Sequence, residues 1–185
     1  NFKHTNAERN AFVQAVIDGL GLKDNVVFVG NSRSGENAIQ MAADNPERTI
    51  GLALLTSLAM RPHQLYKNMW VAKYFVALDD ILPRPLKPLA EFLAYYFLVK
   101  ITHFLPIYFA GNVAGMSSMR TIVTLAFDSL RADIARLEHA HRCRTFMLYG
   151  GRDIVIESAL SAEMAALLPK ARTHLDELSK KGPEE

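Results

Sequence analysis

A single cysteine, Cys143, in 185 residues leaves no partner for an internal disulfide and no thiolate cluster for a zinc site. It fits a reducing compartment and favours a cytoplasmic location. Charge of one sign is equally scarce. The 21 Lys and Arg stand against 19 Asp and Glu, a net +2, too slight a surplus to recruit a nucleic acid. The nearest thing to a membrane span is Phe92 to Val99, fenced by Glu91, Lys100 and His103, with Pro88 and Pro106 further out. A spanning helix needs about 20 apolar residues, so this run is expected in a buried or lid helix. The chain opens on neither Met nor a basic-then-apolar segment, and no export route is read from that end. Repeats and low-complexity tracts are missing as well. Apolar residues are plentiful: they make up half of the chain, which suits a globular unit and excludes a disordered one.

Thr5 and Glu8 have capping-box spacing. Behind them Phe12, Val13, Val16, Ile17 and Leu20 recur at helical intervals, and Gly19 and Gly21 supply the stop. Val26-Val27-Phe28-Val29 is an unbroken apolar run rich in β-branched residues, which predicts a strand buried on both faces of a parallel sheet. A helix from about Arg33 to Ala43, with Ala38, Ile39, Met41 and Ala42 inward, leads to a second strand over Thr49 to Leu55. Helix, strand, helix, strand is the alternation of a doubly wound α/β sheet.

From Arg61 to Arg120 the pattern changes. Seven basic residues (Arg61, Lys67, Lys73, Arg84, Lys87, Lys100 and Arg120) face three acids (Asp79, Asp80 and Glu91). Prolines are frequent and strand alternation is absent, so several inserted helices are expected. The surplus positive charge reads as a solvated face, with attraction to a membrane surface the less favoured alternative. Tyr95-Tyr96-Phe97-Leu98 is assigned to the core of this insertion rather than to a cofactor site. A helix ending near Glu138, a strand over Thr145 to Tyr149, a helix from Glu157 to Leu168 and a short strand over Arg172 to Leu175 complete the expected order.

Gly30-Asn31-Ser32-Arg33-Ser34-Gly35 follows the first strand and opens a helix. A serine two residues after a strand-ending glycine, at a sharp strand-to-helix bend, is the arrangement of a nucleophile elbow. It lifts a hydroxyl above the sheet edge, where the first N–H of the helix and the helix dipole favour a developing oxyanion. Ser32 is then the nucleophile, the Arg33 backbone N–H an oxyanion donor, and Gly30, Ser34 and Gly35 the small residues of the bend. In G-x-S-x-G the last glycine would stand at 34, so here it comes one place late. Gly150-Gly151-Arg152-Asp153 closes the third strand. An acid there, downstream of the serine, is placed to orient a histidine, although Asp in that setting is also a common turn or N-cap residue. The Arg33 side chain is expected to hydrogen-bond the inserted helices, and Glu36 and Asn37 to brace the elbow helix. No metal-ligand spacing and no cofactor motif is present.

His4-Thr5-Asn6-Ala7-Glu8-Arg9, Phe28 to Ala38 and Arg61-Pro62-His63, with a weaker match at Gly150 to Asp153, resemble the α/β-hydrolase superfamily. Within it they resemble an uncharacterised branch known best from nematodes. The resemblance implies a serine hydrolase with an inserted helical lid. It also marks two departures, Asn31 where the family usually has His and Ser34 where it has Gly. The family's histidine follows the strand after the acid, close to Gly182 by count. His174 is the one histidine of this chain after Asp153, and its place at or before the last strand makes it a weak fit to that role. His63, His139 and His141 are read as surface or lid residues, and His103 as a core histidine.

The expected architecture is thus a partial α/β-hydrolase fold, a parallel sheet with flanking helices and an inserted lid. Residues 1–60 carry the core with the elbow, 61–128 the lid, and 129–185 the C-terminal part of the core. Because the elbow follows the fifth strand in that fold, the chain is read as a fragment whose first strand exposes an unpaired edge, and turnover of a chromogenic ester by these 185 residues alone is not expected. The functional expectation is hydrolysis of carboxylic esters or related acyl substrates, small or lipid-like, through an acyl-enzyme. The alternative is a non-catalytic homologue acting as a binding or interaction module.

Overall fold

The computed structural model describes residues 4–57, 60–61, 69–96, 112–137, 142–151, 153, 156–168 and 172–173, with 112–114 and 172–173 described for backbone alone. The first helix, α1 (Asn6–Gly19), opens on the capping box. The Thr5 N–H donates to Glu8 Oε2 at 3.1 Å, and the Glu8 N–H to Thr5 Oγ1 at 3.2 Å. Its end is a Schellman turn: Gly21 takes φ 67°, its N–H donates to Asp18 O, and the Leu22 N–H donates to Ile17 O. Then follow β1 (Val26–Asn31), α2 (Ser34–Asp44) and β2 (Thr49–Leu55). After the inserted helices come α6 (Phe127–Arg136), β3 (Arg144–Leu148), α7 (Ser158–Leu167) and the two-residue β4 (Arg172–Thr173).

The four strands pair in the order β1-β2-β3-β4, and every pairing is parallel. Parallel pairing aligns the carboxyl ends: Asn31 is level with Leu55, and Leu55 with Leu148. Among the described residues β1 is an edge strand. One face of the sheet carries Phe28, Leu52, Leu54 and Met147, all buried with Ile39, Met41 and Ala42 of α2, Leu130 and Ile134 of α6, and Met164 of α7. This is the main core.

The other face departs from the expectation for β1. Val27 and Val29 are 52% and 60% exposed, and Phe146 and Leu148 of β3 are also open. An apolar run announces burial, but only the residues of the face packed on α2 obtain it, because side chains alternate across a strand. The helix α1 shows the same departure. Phe12, Val13, Val16 and Leu20 are exposed, and only Ile17 enters the core. What α1 gives to α2 and its flank is mostly polar: Asn10 bonds Gln40 at 2.8 Å, Asn37 bonds Asn10 at 2.7 Å, and Asn45 bonds Gln14 at 3.0 Å.

The chain divides into two compact units, residues 9–64 with 126–185, and residues 1–8 with 65–125. The second is helical: α3 (Met69–Ile81), a 3₁₀ turn (Arg84–Leu86), α4 (Lys87–Tyr96) and α5 (Asn112–Val123). Ala94, Met116 and Met119 form its core, with Ala72, Phe75 and Val76 packed against them. Asp79 is buried in it and bonded by Arg120, while Lys87 lies 3.5 Å away. A buried carboxylate of this kind is tolerable only with cations at hand. The Thr124 hydroxyl donates to the His4 carbonyl at 3.0 Å, tying the start of the chain into this unit. On α4 only Ala90 and Ala94 are buried. Phe92, Leu93 and Tyr96 are exposed, which corrects the reading of Tyr96 as a core residue of the insertion, while Phe97 and Leu98 lie outside the described residues. No helix among the described residues is long and apolar enough to cross a membrane.

Two measurements test this packing. Leu54 is fully buried in the main core, so Leu54→Ala is expected to lower unfolding free energy by about 2–5 kcal/mol in urea titration. Burial raises the Cys143 thiol pKa, against a lowering hydrogen bond with Thr145. The thiolate is therefore scarce at pH 8, and Cys143 is expected to react with iodoacetamide far more slowly in the native protein than in urea.

Candidate functional site

At the carboxyl end of β1 the chain reverses within two residues. The Ser32 N–H still donates to Leu55 O at 3.0 Å, as a strand residue would, and the Gly35 N–H already donates to Ser32 O at 3.1 Å. Between these bonds Ser32 takes φ 51°, a left-handed conformation costing a residue with a Cβ of order 1–3 kcal/mol. Its side chain is exposed. Arg33 follows in right-handed geometry at φ −57° and begins the helix.

The bend depends on missing side chains. A Cβ on Gly30 would lie 2.6 Å from Gly35 Cα, and one on Gly35 would lie 2.5 Å from Ser57 Cβ and nearer still to its hydroxyl. Ser57 is fully buried, and its hydroxyl donates to Gly30 O at 3.1 Å. Helix and strand thus meet backbone to backbone at Gly30 and Gly35, with the Ser57 side chain pressed against the other side of Gly35. The late glycine is where the close approach falls, and position 34 is free to carry a side chain.

Position 34 uses that freedom. The Asn31 N–H donates to Ser34 Oγ at 2.9 Å, and the Ser34 hydroxyl donates to Asn31 O at 2.7 Å. The Asn31 side chain accepts from the Thr56 hydroxyl at 3.2 Å. Thr56 stands one residue past β2, as Ser32 does past β1, and it too is left-handed at φ 42°, a rare state for a β-branched residue. Neither the strain at Thr56 nor the packing of Ser57 had a sequence signal beyond their place after a strand.

The Arg33 guanidinium donates to Asn37 Oδ1 at 2.8 Å, one turn along its own helix. Glu36 is buried and accepts the Ala126 N–H at 2.9 Å. That bond joins the elbow helix to the start of α6, so Glu36 braces more than its own helix.

Asp153 lies beyond β3 on the same carboxyl edge of the sheet, half-buried. Its Oδ1 accepts the Ile156 N–H at 3.0 Å, and its own N–H reaches Gly150 O at 3.4 Å. The carboxylate therefore closes its own turn. Since β2 separates β1 from β3, the strand ends leading to Ser32 and Asp153 stand two strand spacings apart, about 10 Å. His174 lies outside the described residues, as do Arg152, His63, His103, His139 and His141. Among the described residues no three of His, Cys, Asp or Glu converge on a metal position.

An all-parallel sheet with a left-handed serine between a strand and its following helix has the α/β-hydrolase fold, and solved structures of that class superpose on it. One is the enol-lactonase from Burkholderia xenovorans LB400, 20% identical with a TM-score of 0.57 over 91% of this chain and 63% of that one. Another is a thermophilic esterase from Thermogutta terrifontis, 18% identical with a TM-score of 0.58 over 91% and 62%. The chain belongs to the family described as alpha/beta hydrolase of unknown function (DUF1057), whose family model matches residues 1–184. An uncharacterised Caenorhabditis elegans protein is 26% identical over 174 residues, 88% of this chain and 46% of the relative. The chain thus spans about half the length of that curated relative.

The contact between Gly35 and Ser57 gives a direct test. Gly35→Ala is expected to cost about 1–3 kcal/mol, and Ser57→Gly in the same chain to recover part of it. A double-mutant cycle in urea should therefore show coupling, and additive losses would mean that the two residues do not meet.

Proposed function

We propose that the chain carries the nucleophile and acid of a serine hydrolase acting on carboxylic esters or related acyl compounds, small or lipid-like. The observation that carries this reading is the exposed, left-handed Ser32 between β1 and α2. Strain of that kind persists only where the surrounding structure enforces it, and it gathers at reactive positions. The lactonase and the esterase among the like-folded proteins support acyl chemistry in a fold that also hosts other reactions.

In this reading the Ser32 oxygen attacks the substrate carbonyl carbon while a histidine takes its proton. The carbonyl electrons move onto oxygen, and the Arg33 N–H and the positive end of α2 stabilise the anion. Collapse expels the alcohol, which takes the proton back from the histidine and leaves an acyl-enzyme on Ser32. Water, deprotonated by the same histidine, then adds to the acyl carbon. The bond from that carbon to the Ser32 oxygen breaks, and the histidine returns the proton to Ser32 as the acid leaves. Asp153 orients the histidine. His174 is the candidate on this chain, and the greater length of the relatives leaves room for another. Residues 61–128 are assigned to the substrate-selecting insertion, and 1–60 with 129–185 to the catalytic core. Serine at the bend argues against the carboxylate-nucleophile reactions of epoxide hydrolases and dehalogenases.

The test is a fluorophosphonate probe applied to the longest natural form of the protein. Labelling is expected, and Ser32→Ala is expected to abolish it while leaving thermal stability within a few degrees. A folded protein that takes up no label would instead favour the non-catalytic binding module.

A further inference from the structure

Ser34 stands where the hydrolase pattern has glycine, and the two bonds of its hydroxyl are spent on one residue, Asn31. The direction of those bonds follows from the ladder. Along β1 the Val26 N–H donates to Arg48 O and the Ser32 N–H to Leu55 O. Alternation therefore sends the N–H and C=O of Asn31 away from β2, toward the edge of the sheet. Ser34 reaches back from the first turn of α2 and closes both groups, while the Thr56 hydroxyl holds the Asn31 carboxamide from just past β2. Asn31 is thus fastened at backbone and side chain. Ser32 next to it is held by Leu55 O on one side and by the Gly35 N–H on the other. A glycine or alanine at 34 supplies neither bond, and the residue before the left-handed serine would lose its edge-side anchor.

We propose that Ser34 is a positioning residue: through Asn31 its hydroxyl fixes the left-handed backbone that presents Ser32. The inference rests on the reading of Ser32 as nucleophile, but its structural half stands apart from any reactivity. The staple replaces what an ordinary elbow obtains from a featureless glycine. Here the glycine has moved to 35, where the approach of Ser57 requires it, and the vacated position holds the turn with hydrogen bonds instead. Asn31 in place of His belongs to the same device, because its short carboxamide meets the Thr56 hydroxyl.

The experiment uses amide exchange and the HN–Hα coupling of Ser32, read by NMR on the 185-residue chain. In the wild type the Asn31 amide should be protected although no described strand accepts from it, and the Ser32 coupling should report a positive φ. Ser34→Ala should speed Asn31 exchange about tenfold or more and move the Ser32 coupling toward a right-handed average, whereas Ser34→Thr should keep both near wild type. In the longest natural form, Ser34→Ala should slow fluorophosphonate labelling by between about tenfold and a hundredfold, with Ser34→Thr restoring it. An unprotected Asn31 amide in the wild type, or an unchanged Ser32 coupling in Ser34→Ala, overturns the proposal. If Ser34→Ala does not fold, the wild-type exchange rate and the Ser34→Thr chain decide. Absent labelling of the wild type with the NMR results as expected overturns the nucleophile reading and leaves the staple standing.

Discussion

The backbone-to-backbone contact of β1 with α2 at Gly30 and Gly35 is the constraint on which the rest of the site depends. Gly30, Gly35 and the buried Ser57 occupy a space that no additional carbon can enter. That closeness forces the chain to turn within two residues, and a turn so short requires a left-handed residue at its apex. The residue there is Ser32 rather than glycine, so the fold retains a strained conformation in order to display a hydroxyl. The core under α2, with Ile39 and Ala42 fully buried, is what holds the strain. Hydrophobic burial of the helix supplies the force, and the glycines determine where that force brings the backbone.

Polar contacts then refine what the core has positioned. Asn31, Ser34 and Thr56 lock the bend, Glu36 reaches to α6, and Asn37 joins Arg33 to the amide pairs of α1. Some of these bonds stay within a turn of the chain and others join segments far apart in sequence, as Glu36 does with Ala126, and each is of modest worth alone. Together they leave the residues around Ser32 little freedom, which a reaction needing a fixed attack angle would exploit. The burial pattern is asymmetric in a related way. The face of the sheet under α2 is dry, while Val27, Val29, Phe146 and Leu148 on the other face are open.

Much of the fold was legible in the residues. The Thr5–Glu8 box, the apolar strand before Gly30 and the α2 periodicity each act over a few residues, and each element formed within about a turn of its expected limits. Burial was less legible. Phe12, Val16, Val27 and Val29 are apolar at the right spacing yet exposed, because periodicity tells which residues share a face and not whether another element covers it. The candidate site divides along the same line. The glycine-serine spacing announced the bend. That residue 35 rather than 34 carries the steric demand, that Thr56 shares the left-handed state, and that Asp153 spends an oxygen on the Ile156 N–H depend on neighbours far away in the chain or on turn geometry.

By itself the sequence determined the alternation of helix and strand, the place of the chain reversal, and the residue types gathered at the carboxyl edge of the sheet. These follow from local propensity and from the periods of two and of 3.6 residues. Only the tertiary structure decided which glycine is indispensable, which serine staples and which is displayed, and which apolar face lies open. Those outcomes turn on distances between segments tens of residues apart, and a spacing along the chain does not encode them.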